Sequence, residues 1–508
     1  MYRKKDRMGQ KEIKFVSLED LVPEDHLLRK IDAAISFDFI YTEVKGMYSE
    51  ANWGNPGIDP VALFKIVFIQ YLFGIRSMRQ TIREIEVNNA YRWFIGYDLF
   101  EKIPHFSTFG KNYSRRFVGT EIFERVFLHI LSEAVECGFV DAGAIFIDGT
   151  HIKASANKKK NTKAEVEISA KKYQAELDKE IDEDRAAHGK KPFKRDKHDD
   201  NKDDDDSPPL PVETKTITVS TTDPECGLFH KGEHEKQFAY VTGVACDKHN
   251  FVLGYNLAPG NTHDSTMFSE LYQDVTKRFP EVKAVAVDAG YKIPAIMKEI
   301  IDSQRIPCAP YRRPQTKDGF FKKYEYVYDE YYDCVLCPNN QVLRYSTTNR
   351  DGYREFKSNP KICNTCSMRS QCTESKACQK VVTQHIWESY MEQAEDYRHT
   401  PIYRAIYERR KETIERIFGD AKEKHGMRYT QLRGLLKVKM QVALTFACMN
   451  LKKLANWKYR RGRFSTFSLA FYFFFSPFQK KELMPSLELL FVYSLKKAPL
   501  GLSFLRSA

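Results

Sequence analysis

The sequence predicts a mixed α/β protein that begins with an all-helical region. Residues 12 to about 135 carry helix start signals and apolar side chains at helical spacing. From Ala142 onward, short apolar strands first follow one another and then alternate with amphipathic helices, a pattern typical of a mixed sheet with flanking helices. Two polar segments, 155–211 and 316–395, interrupt this pattern. The chain has 508 residues, which is enough for about two to four domains.

The first domain, residues 1–135, is predicted to be helical and to bind DNA. Asp59-Pro60 opens a long apolar segment that should form a buried helix, and Ser77 can cap the helix after it. Short helices with basic outer faces and tight turns are compatible with a helix-turn-helix DNA reader, although an ordinary helical bundle fits equally well. The candidate DNA contacts in this region are Arg79, Arg83, Lys111, Arg115 and Arg116.

The first part of the sheet is predicted over residues 140–154 and 212–315. The segment GAIFIDGTHIKASA predicts a strand, a turn at Asp148-Gly149 and a return strand. Three further strands are expected in KTITVSTT, FAYVTGVACD and FVLGYNLAP. Helices in DSTMFSELYQDVTKRF and IPAIMKEIIDSQ then alternate with strands in KAVAVDAGY and RIPCAPYRR.

The first interruption, residues 155–211, is predicted to be a flexible, charged insertion. It contains 14 Lys and Arg and 15 Asp and Glu, which favours a solvated helix and linker over core. The run Asp203–Asp206 has no apolar residues around it, so solvated carboxylates are a better interpretation than a metal site.

Two carboxylates stand out because they interrupt or end apolar strands. Asp148 follows Ile147, and Asp288 follows Val287. A carboxylate on a buried strand loses hydration unless it is paired or bound to metal. Taken singly, each could also be an ordinary turn residue at a strand end.

The basic surplus of the chain lies in residues 401–463. This segment has 17 Lys and Arg against five acidic residues, a surplus equal to the net charge of +12 for the whole chain. Within it, Glu415 is predicted on one continuous helix that also presents Lys411 and Lys422, although an ordinary surface pair of Lys and Glu is the alternative. The candidate phosphate contacts here are Lys411, Lys422, His425, Arg428 and Arg433.

Two strand aspartates and one helix glutamate supply the oxygen ligands that hard divalent cations require. Two Mg²⁺ (or Mn²⁺) ions on Asp148, Asp288 and Glu415 could flank a phosphodiester, and neighbouring basic side chains could hold the DNA backbone. The sequence therefore predicts two ions per active site.

The order of IFIDGT, VAVDAGY and KETIERIFGDAK resembles the catalytic signatures of bacterial insertion-sequence transposases of the DDE superfamily. The resemblance implies an RNase H-like sheet, with Asp148, Asp288 and Glu415 as the triad. The family's helix signature has a basic residue four positions before the Glu and a Lys seven after it, and Lys411 and Lys422 occupy these positions. Lys411 replaces the usual Arg, and Glu408 stands at the usual Tyr position, with Tyr407 one residue earlier.

Further segments extend the resemblance to roughly residues 12–455. LAPGNTHDSTMF is similar to the family's segment between the two Asp strands, and LEDLVPEDHLLRKI and GNPGIDPVALFKI are similar to its helical N-terminal region. The resemblance implies a DNA transposase that binds terminal inverted repeats, hydrolyses phosphodiesters at the element ends and transfers the freed 3′ hydroxyl to target DNA, as a homodimer on DNA. Two alternatives remain: a related nuclease or resolvase without strand transfer, and a catalytically inactive zinc-containing DNA-binding protein.

The second interruption, residues 316–395, is rich in cysteine. Cys334 and Cys337 form one CxxC pair and Cys363 and Cys366 another, with Cys372 close behind. Two such pairs can close a structural zinc site in a β-ribbon, whereas unliganded reduced thiols are the alternative.

Residues 396–463 are predicted to complete the catalytic core, and residues 464–508 form an aromatic tail without a functional interpretation. The tail could pack on the body, mediate dimerisation or be a poorly folded extension. No apolar run reaches the roughly 20 residues that span a bilayer, and the N-terminus lacks the apolar core of a signal peptide. These features predict a cytoplasmic, nucleoid-associated bacterial protein without membrane contact.

Overall fold

The computed structural model describes residues 13–48, 57–167, 173–193, 214–231, 235–313 and 316–475. Over these ranges the protein is mixed α/β, with helices at the N-terminus and a central sheet after them, as predicted. The run Asp203–Asp206 and residues 476–508 of the tail lie outside the described residues.

The N-terminal region is helical, as the sequence predicts. The side chain of Asp59 accepts a hydrogen bond from the N–H of Ala62, and Pro60 occupies the first turn of the fourth helix, which is buried on nearly all sides. Arg115 and Arg116 lie in a π-helical turn, Tyr113–Phe117. The helices are α1 (Leu18–Leu21), α2 (Leu27–Ala34), α3 (Phe39–Val44), α4 (Pro60–Leu72), α5 (Met78–Val87), α6 (Asn89–Ile95), α7 (Ser107–Asn112) and α8 (Ile122–Glu136).

The central sheet has six strands and a mixed topology. Its elements and those inserted between them are β1 (Ala144–Lys153), β2 (Asn161–Glu167), α9 (Gln174–Ala187), β3 (Thr214–Ser220), β4 (Gly227–Lys231), β5 (Glu235–Cys246), β6 (Val252–Pro259), α10 (Asp264–Arg278), β7 (Ala284–Ala286), α11 (Pro294–Asp302) and β8 (Ile306–Cys308). Strand β5 pairs with β4, β6 and β1, all antiparallel, and β1, β7 and β8 run parallel in that order.

The turn predicted at Asp148-Gly149 is wrong. Strand β1 continues through both residues to Lys153, and Gly149 stands opposite Gly243 in the antiparallel pairing with β5. A local Asp-Gly turn signal is overridden here because pairing with a long neighbouring strand satisfies the backbone along the whole of β1. Asp148 is therefore a mid-strand residue.

The insertion 155–211 is more ordered than the sequence suggests. Its strand β2 pairs with β3, which follows the insertion, in a separate two-stranded antiparallel sheet, so the prediction that KTITVSTT (β3) belongs to the main sheet is wrong. Helix α9 buries Leu177 and Ile181 against Trp387. Asp184 of α9 is also buried and accepts a hydrogen bond from Arg354 Nε at 2.7 Å. The segment contains a helix, as predicted, but α9 is not simply solvated, because its small apolar face packs against a distant part of the chain.

The Cys-rich insertion forms a five-stranded antiparallel sheet in the order β13-β12-β11-β10-β9. Its elements are β9 (Val327–Asp329), β10 (Cys334–Leu336), β11 (Val342–Thr348), β12 (Tyr353–Lys357), α12 (Pro360–Asn364), α13 (Arg369–Cys372) and β13 (Val381–His385). We call this unit, residues 316–386, the ribbon.

The C-terminal helices do not include the single continuous helix predicted around Glu415. A 3₁₀ turn, Glu408–Glu412, is followed by Thr413 at φ −109° and ψ −96°, where the helical path breaks. Lys411 and Glu415 therefore lie on different elements and do not share a helix face. The helices are α14 (Glu388–Arg398), α15 (Pro401–Tyr407), α16 (Ile414–Lys424) and α17 (Leu435–Phe475).

Helix α17 joins the N-terminal helices to the sheet. It packs against α2, α4 and α8 on one side and against β6 on the other. Asn450 of α17 accepts the N–H of Val252 and donates to its carbonyl, both at 2.9 Å. The helical region and the sheet consequently share one apolar core. No helix in the described part of the chain is both long and apolar enough to cross a membrane.

Candidate active site

The sheet places Asp148 and Asp288 side by side. Strands β1 and β7 are parallel neighbours, with Phe146 opposite Ala286. Asp148 and Asp288 each stand two residues further along, so both side chains emerge on the same face of the sheet. Asp148 remains within β1, whereas Asp288 follows β7 and precedes a 3₁₀ turn.

Arg410 bridges the two aspartates. Its Nη2 donates to Asp148 Oδ2 at 2.7 Å, and its Nη1 donates to Asp288 Oδ1 at 3.2 Å. The Arg410 side chain is 7% exposed, against 19% for Asp148 and 53% for Asp288. Burial by itself lowers the pKa of Arg410, but Asp148, Tyr407 and Asp288 outweigh it and raise the pKa above the ordinary value. The guanidinium thus stays charged and offsets the repulsion between the carboxylates.

Arg410 was missed by the sequence prediction, which assigned the basic position to Lys411. Lys411 is exposed, whereas Arg410 is directed into the site by the 3₁₀ turn. The signal in the sequence was Tyr407. The family's helix signature has its Tyr three residues before its Arg, and Tyr407 and Arg410 have this spacing. Placing these two positions one residue earlier in the chain would therefore have identified Arg410. The helix break at Thr413 is what makes a simple helical spacing from Glu415 misleading.

Glu415 lies in the first turn of α16 with an exposed side chain. Helix α16 buries Ile414, Ile417 and Ala421 and packs against β1 and β5, so the backbone of Glu415 is held against the central sheet. Among the described residues, no three His, Cys, Asp or Glu side chains form a group ready to hold a metal ion. The structure thus brings together two of the three predicted carboxylates, with Glu415 on an adjoining helix.

The predicted basic contacts after Glu415 divide into exposed and buried side chains. Arg428 is exposed and pairs with Glu423, and exposed Arg433 donates to the carbonyl of Ser155 at 3.1 Å. Lys422 is half-buried on α16. His425, by contrast, is buried with its Nδ1 2.8 Å from the carbonyl oxygen of Tyr71, so it is not available for the predicted DNA contact.

A cationic cleft missed by the sequence prediction lies beside the same 3₁₀ turn. It has a volume of about 430 Å³, and its lining includes Lys248, Arg409 and Arg416. Arg409 is adjacent to Arg410 in sequence, and both Arg409 and Arg416 are exposed. The turn therefore presents one arginine to the carboxylates and another to the cleft.

The predicted N-terminal basic residues are mostly exposed. Arg79 and Arg83 lie on α5, with Arg79 stacked 4.3 Å over the ring of Phe106, and Lys111 lies on α7. Arg115 is exposed, and the half-buried Arg116 stacks 4.3 Å over Tyr48. These side chains belong to three separate elements of the N-terminal region, α5, α7 and the π-helical turn.

Four of the five predicted zinc ligands line one cavity in the ribbon: Cys337, Cys363, Cys366 and Cys372. Cys334 does not line it, because its side chain is buried within β10.

Comparison with known families identifies transposase domains at both ends of the chain. The family described as "Transposase domain (DUF772)" matches residues 16–115, which are N-terminal helices. The family described as "Transposase DDE domain" matches residues 336–455, which include Arg410 and Glu415. Asp148 and Asp288 lie outside both matches. A search of curated proteins found no match. These two matches, to a transposase domain of the N-terminal helices and to a transposase DDE domain, point to an insertion-sequence transposase of the DDE type.

Proposed function

We propose that this transposase hydrolyses phosphodiesters at the ends of its element and transfers the freed 3′ hydroxyl into target DNA, with Asp148, Asp288 and Glu415 as the catalytic carboxylates. The observation that carries the proposal is the pair of aspartates on adjacent parallel strands, bridged by a buried arginine. Helix α16 supplies the third carboxylate from the segment that matches the DDE domain.

The strand order supports an RNase H-like assignment of the sheet. The central strand β1 has an antiparallel neighbour, β5, on one side and two parallel strands, β7 and β8, on the other. In this topology the carboxylate of the first strand and that of the first parallel neighbour meet at one place. Asp148 and Asp288 meet in this way.

The carboxylates fit divalent cations in ligand chemistry and charge. Asp148 and Asp288 offer hard oxygen ligands, and both already bind one cation, the guanidinium of Arg410. Mg²⁺ or Mn²⁺ would be held by Asp148, Asp288 and Glu415; when bound, two such ions would activate the attacking oxygen and stabilise the leaving oxygen. The exposed side chain of Glu415 would have to turn toward the aspartates to join them.

Arg410 and its neighbours position the site. Arg410 orients both aspartates, and its ring contact with Tyr407, 5.6 Å from guanidinium carbon to ring centroid, supports its own orientation. Arg409 and Arg416 in the cationic cleft, together with exposed basic side chains of the N-terminal helices, would hold DNA phosphates. Binding of two element ends would bring two copies of the chain together, and sedimentation of the DNA complex would measure this stoichiometry.

Strand cleavage and strand joining by purified full-length protein test the proposal. Asp148→Asn, Asp288→Asn and Glu415→Gln should each reduce both reactions by about a hundredfold or more, the scale on which a single positioned electrostatic group acts in an active site. DNA binding should persist, because the side chains that contact phosphate are unchanged.

Glu270→Gln is the matched control, because Glu270 is also an exposed glutamate on a helix of the catalytic sheet. It should retain wild-type activity. Cleavage without joining by the wild-type protein would favour the nuclease alternative, and full cleavage by Asp148→Asn would refute the triad.

A further inference from the structure

The ribbon has a very small core of its own. Five strands and two short helices enclose one apolar cluster whose buried members are Tyr326, Val335, Leu343 and Phe356. A unit of this size rarely remains folded on so few buried side chains, and small domains are commonly stabilised by disulfides or a structural metal. All cysteines of the ribbon are free thiols.

Four of these thiols surround a single cavity. Cys337 follows β10, Cys363 lies in α12, Cys366 lies in the next turn, and Cys372 ends α13. The cavity has a volume of about 30 Å³, which is enough for one small occupant. Much of the remaining lining is apolar, including Phe321, Val342, Leu343, Ile362 and Met368. Four cysteine residues from three separate segments thus line one sheltered space.

Three of the four sulfurs already take part in hydrogen bonds. The backbone N–H of Gln341 donates to Cys337 Sγ at 3.4 Å, and Asn339 Nδ2 donates to Cys366 Sγ at 3.6 Å. Tyr326 Oη lies 3.2 Å from Cys372 Sγ. Hydrogen bonds of this kind can orient a metal ligand from outside its coordination shell.

Positive charge also lies beside the cavity. Arg369 and Lys380 both line it, and Lys380 Nζ donates to the carbonyl of Cys372 at 3.0 Å. Four thiolates around one Zn²⁺ would carry a net charge of −2, which these two cations would offset.

The other two cysteines of the ribbon are placed differently. Cys334 is paired with Asp329 and Arg344 in the sheet, and burial raises the pKa of its thiol. Cys378 Sγ lies 3.4 Å from Asn364 Oδ1 and does not line the cavity. The first CxxC pair therefore contributes only its second cysteine.

We propose that Cys337, Cys363, Cys366 and Cys372 bind one structural zinc ion that closes the ribbon. Four protein ligands leave no open coordination position, so the site has no catalytic role. In the described chain these sulfurs do not yet form a closed metal group, and rotation of the cysteine side chains into the cavity would complete the tetrahedron as four thiol protons are released. This inference is independent of the chemistry proposed at Asp148.

Metal analysis and alkylation of the wild-type protein test the ligand set without any variant. Purified full-length protein should contain about one zinc per chain. Iodoacetamide followed by peptide mass spectrometry should leave the four proposed ligands unmodified until a chelator is added, whereas Cys378 should react in both conditions. Protein prepared with zinc in the medium but containing none would overturn the proposal, and so would protection of Cys378 in place of Cys372.

Single serine variants provide the second test. Cys337→Ser, Cys363→Ser, Cys366→Ser and Cys372→Ser should each lose most of the zinc, and protease should then cleave within residues 316–386. Cys334→Ser and Cys378→Ser are the matched controls and should retain zinc. Loss of zinc in Cys334→Ser, with retention in Cys366→Ser, would contradict the assignment.

Discussion

At the scale of single residues, Arg410 is the side chain that organises the candidate site. It is almost fully buried, and it stands between two carboxylates that would otherwise repel each other. A guanidinium can bind two carboxylates through its fork of N–H donors, which an ammonium group cannot do in the same plane. A divalent ion could therefore take the place of the Arg410 guanidinium between the two aspartates.

We expect Arg410→Ala to be less stable than the wild type by about 1–3 kcal/mol in the absence of divalent ions, because it leaves charge-assisted hydrogen bonds of two aspartates unmade. Millimolar Mg²⁺ or Mn²⁺ should restore stability to the variant more than it stabilises the wild type. Thermal unfolding with and without Mg²⁺ measures both effects.

The control for Arg410→Ala is Arg409→Ala, which removes the neighbouring arginine but leaves the aspartates bridged. Equal responses of Arg410→Ala and Arg409→Ala to Mg²⁺ would show that the carboxylate pair does not bind the ion.

At the scale of secondary-structure elements, the junction between α4 and α16 fixes the helix that carries Glu415. His425 at the end of α16 contacts the carbonyl of Tyr71 in α4. Gly74, at φ +63°, approaches the same helix end so closely that a Cβ atom there would lie 2.6 Å from the carbonyl oxygen of Lys424. Glycine at this position permits both the left-handed backbone and the close approach.

Stability should fall at acid pH because of His425. Burial lowers the pKa of His425 to about 4, from an ordinary value of 6.5. The unfolded histidine binds a proton more readily than the folded one, so the stabilisation is complete above about pH 6.5 and is lost as the pH falls toward 4. The shift corresponds to a loss of about 3 kcal/mol, measured as the free energy of urea unfolding across this range.

His425→Asn should make the free energy of unfolding depend less on pH between about 4 and 6.5. His105→Asn, at an exposed histidine, should leave this pH dependence unchanged. Burial also lowers the pKa of His385 to about 4. His385 therefore contributes to the same loss of stability at acid pH in every variant. An unchanged pH profile in His425→Asn would show that this histidine is not held neutral.

At the scale of the whole molecule, one core unites regions that the sequence presents as separate domains. Helix α17 contacts α2, α4, α8 and β6, so the N-terminal helices and the central sheet should unfold together. The positive charge of residues 401–463 is distributed around this body, with Arg409 and Arg416 at the cationic cleft and Arg428 and Arg433 at the surface. Of these cations, Arg409 is adjacent in sequence to Arg410, which bridges the two aspartates.

The double variant Arg409→Ala/Arg416→Ala should weaken DNA binding and reduce its salt dependence. Each phosphate contact contributes about 0.9 to the slope of log affinity against log salt concentration, so losing two contacts should lower the slope by about 2. Fluorescence anisotropy with labelled duplex DNA across a salt series gives the slope.

The double variant Lys277→Ala/Lys283→Ala removes the same charge from exposed positions outside the cleft and should change the slope little. Equal changes in the two double variants would assign the effect to net charge alone.

The sequence by itself determined the helical N-terminus, most strands of the central sheet, the candidate status of the two aspartates and the family resemblance. Asp59-Pro60, Ser77 and the apolar runs act through local backbone preference and side-chain periodicity, which a sequence displays directly. The tertiary structure decided that β1 passes through Asp148, that Arg410 rather than Lys411 meets the aspartates, that His425 is buried, and that Cys337 rather than Cys334 faces the cavity. Each of these depends on a partner far away in the chain, such as β5 for β1 or Tyr71 for His425, and long-range packing overrides local signals wherever the two compete.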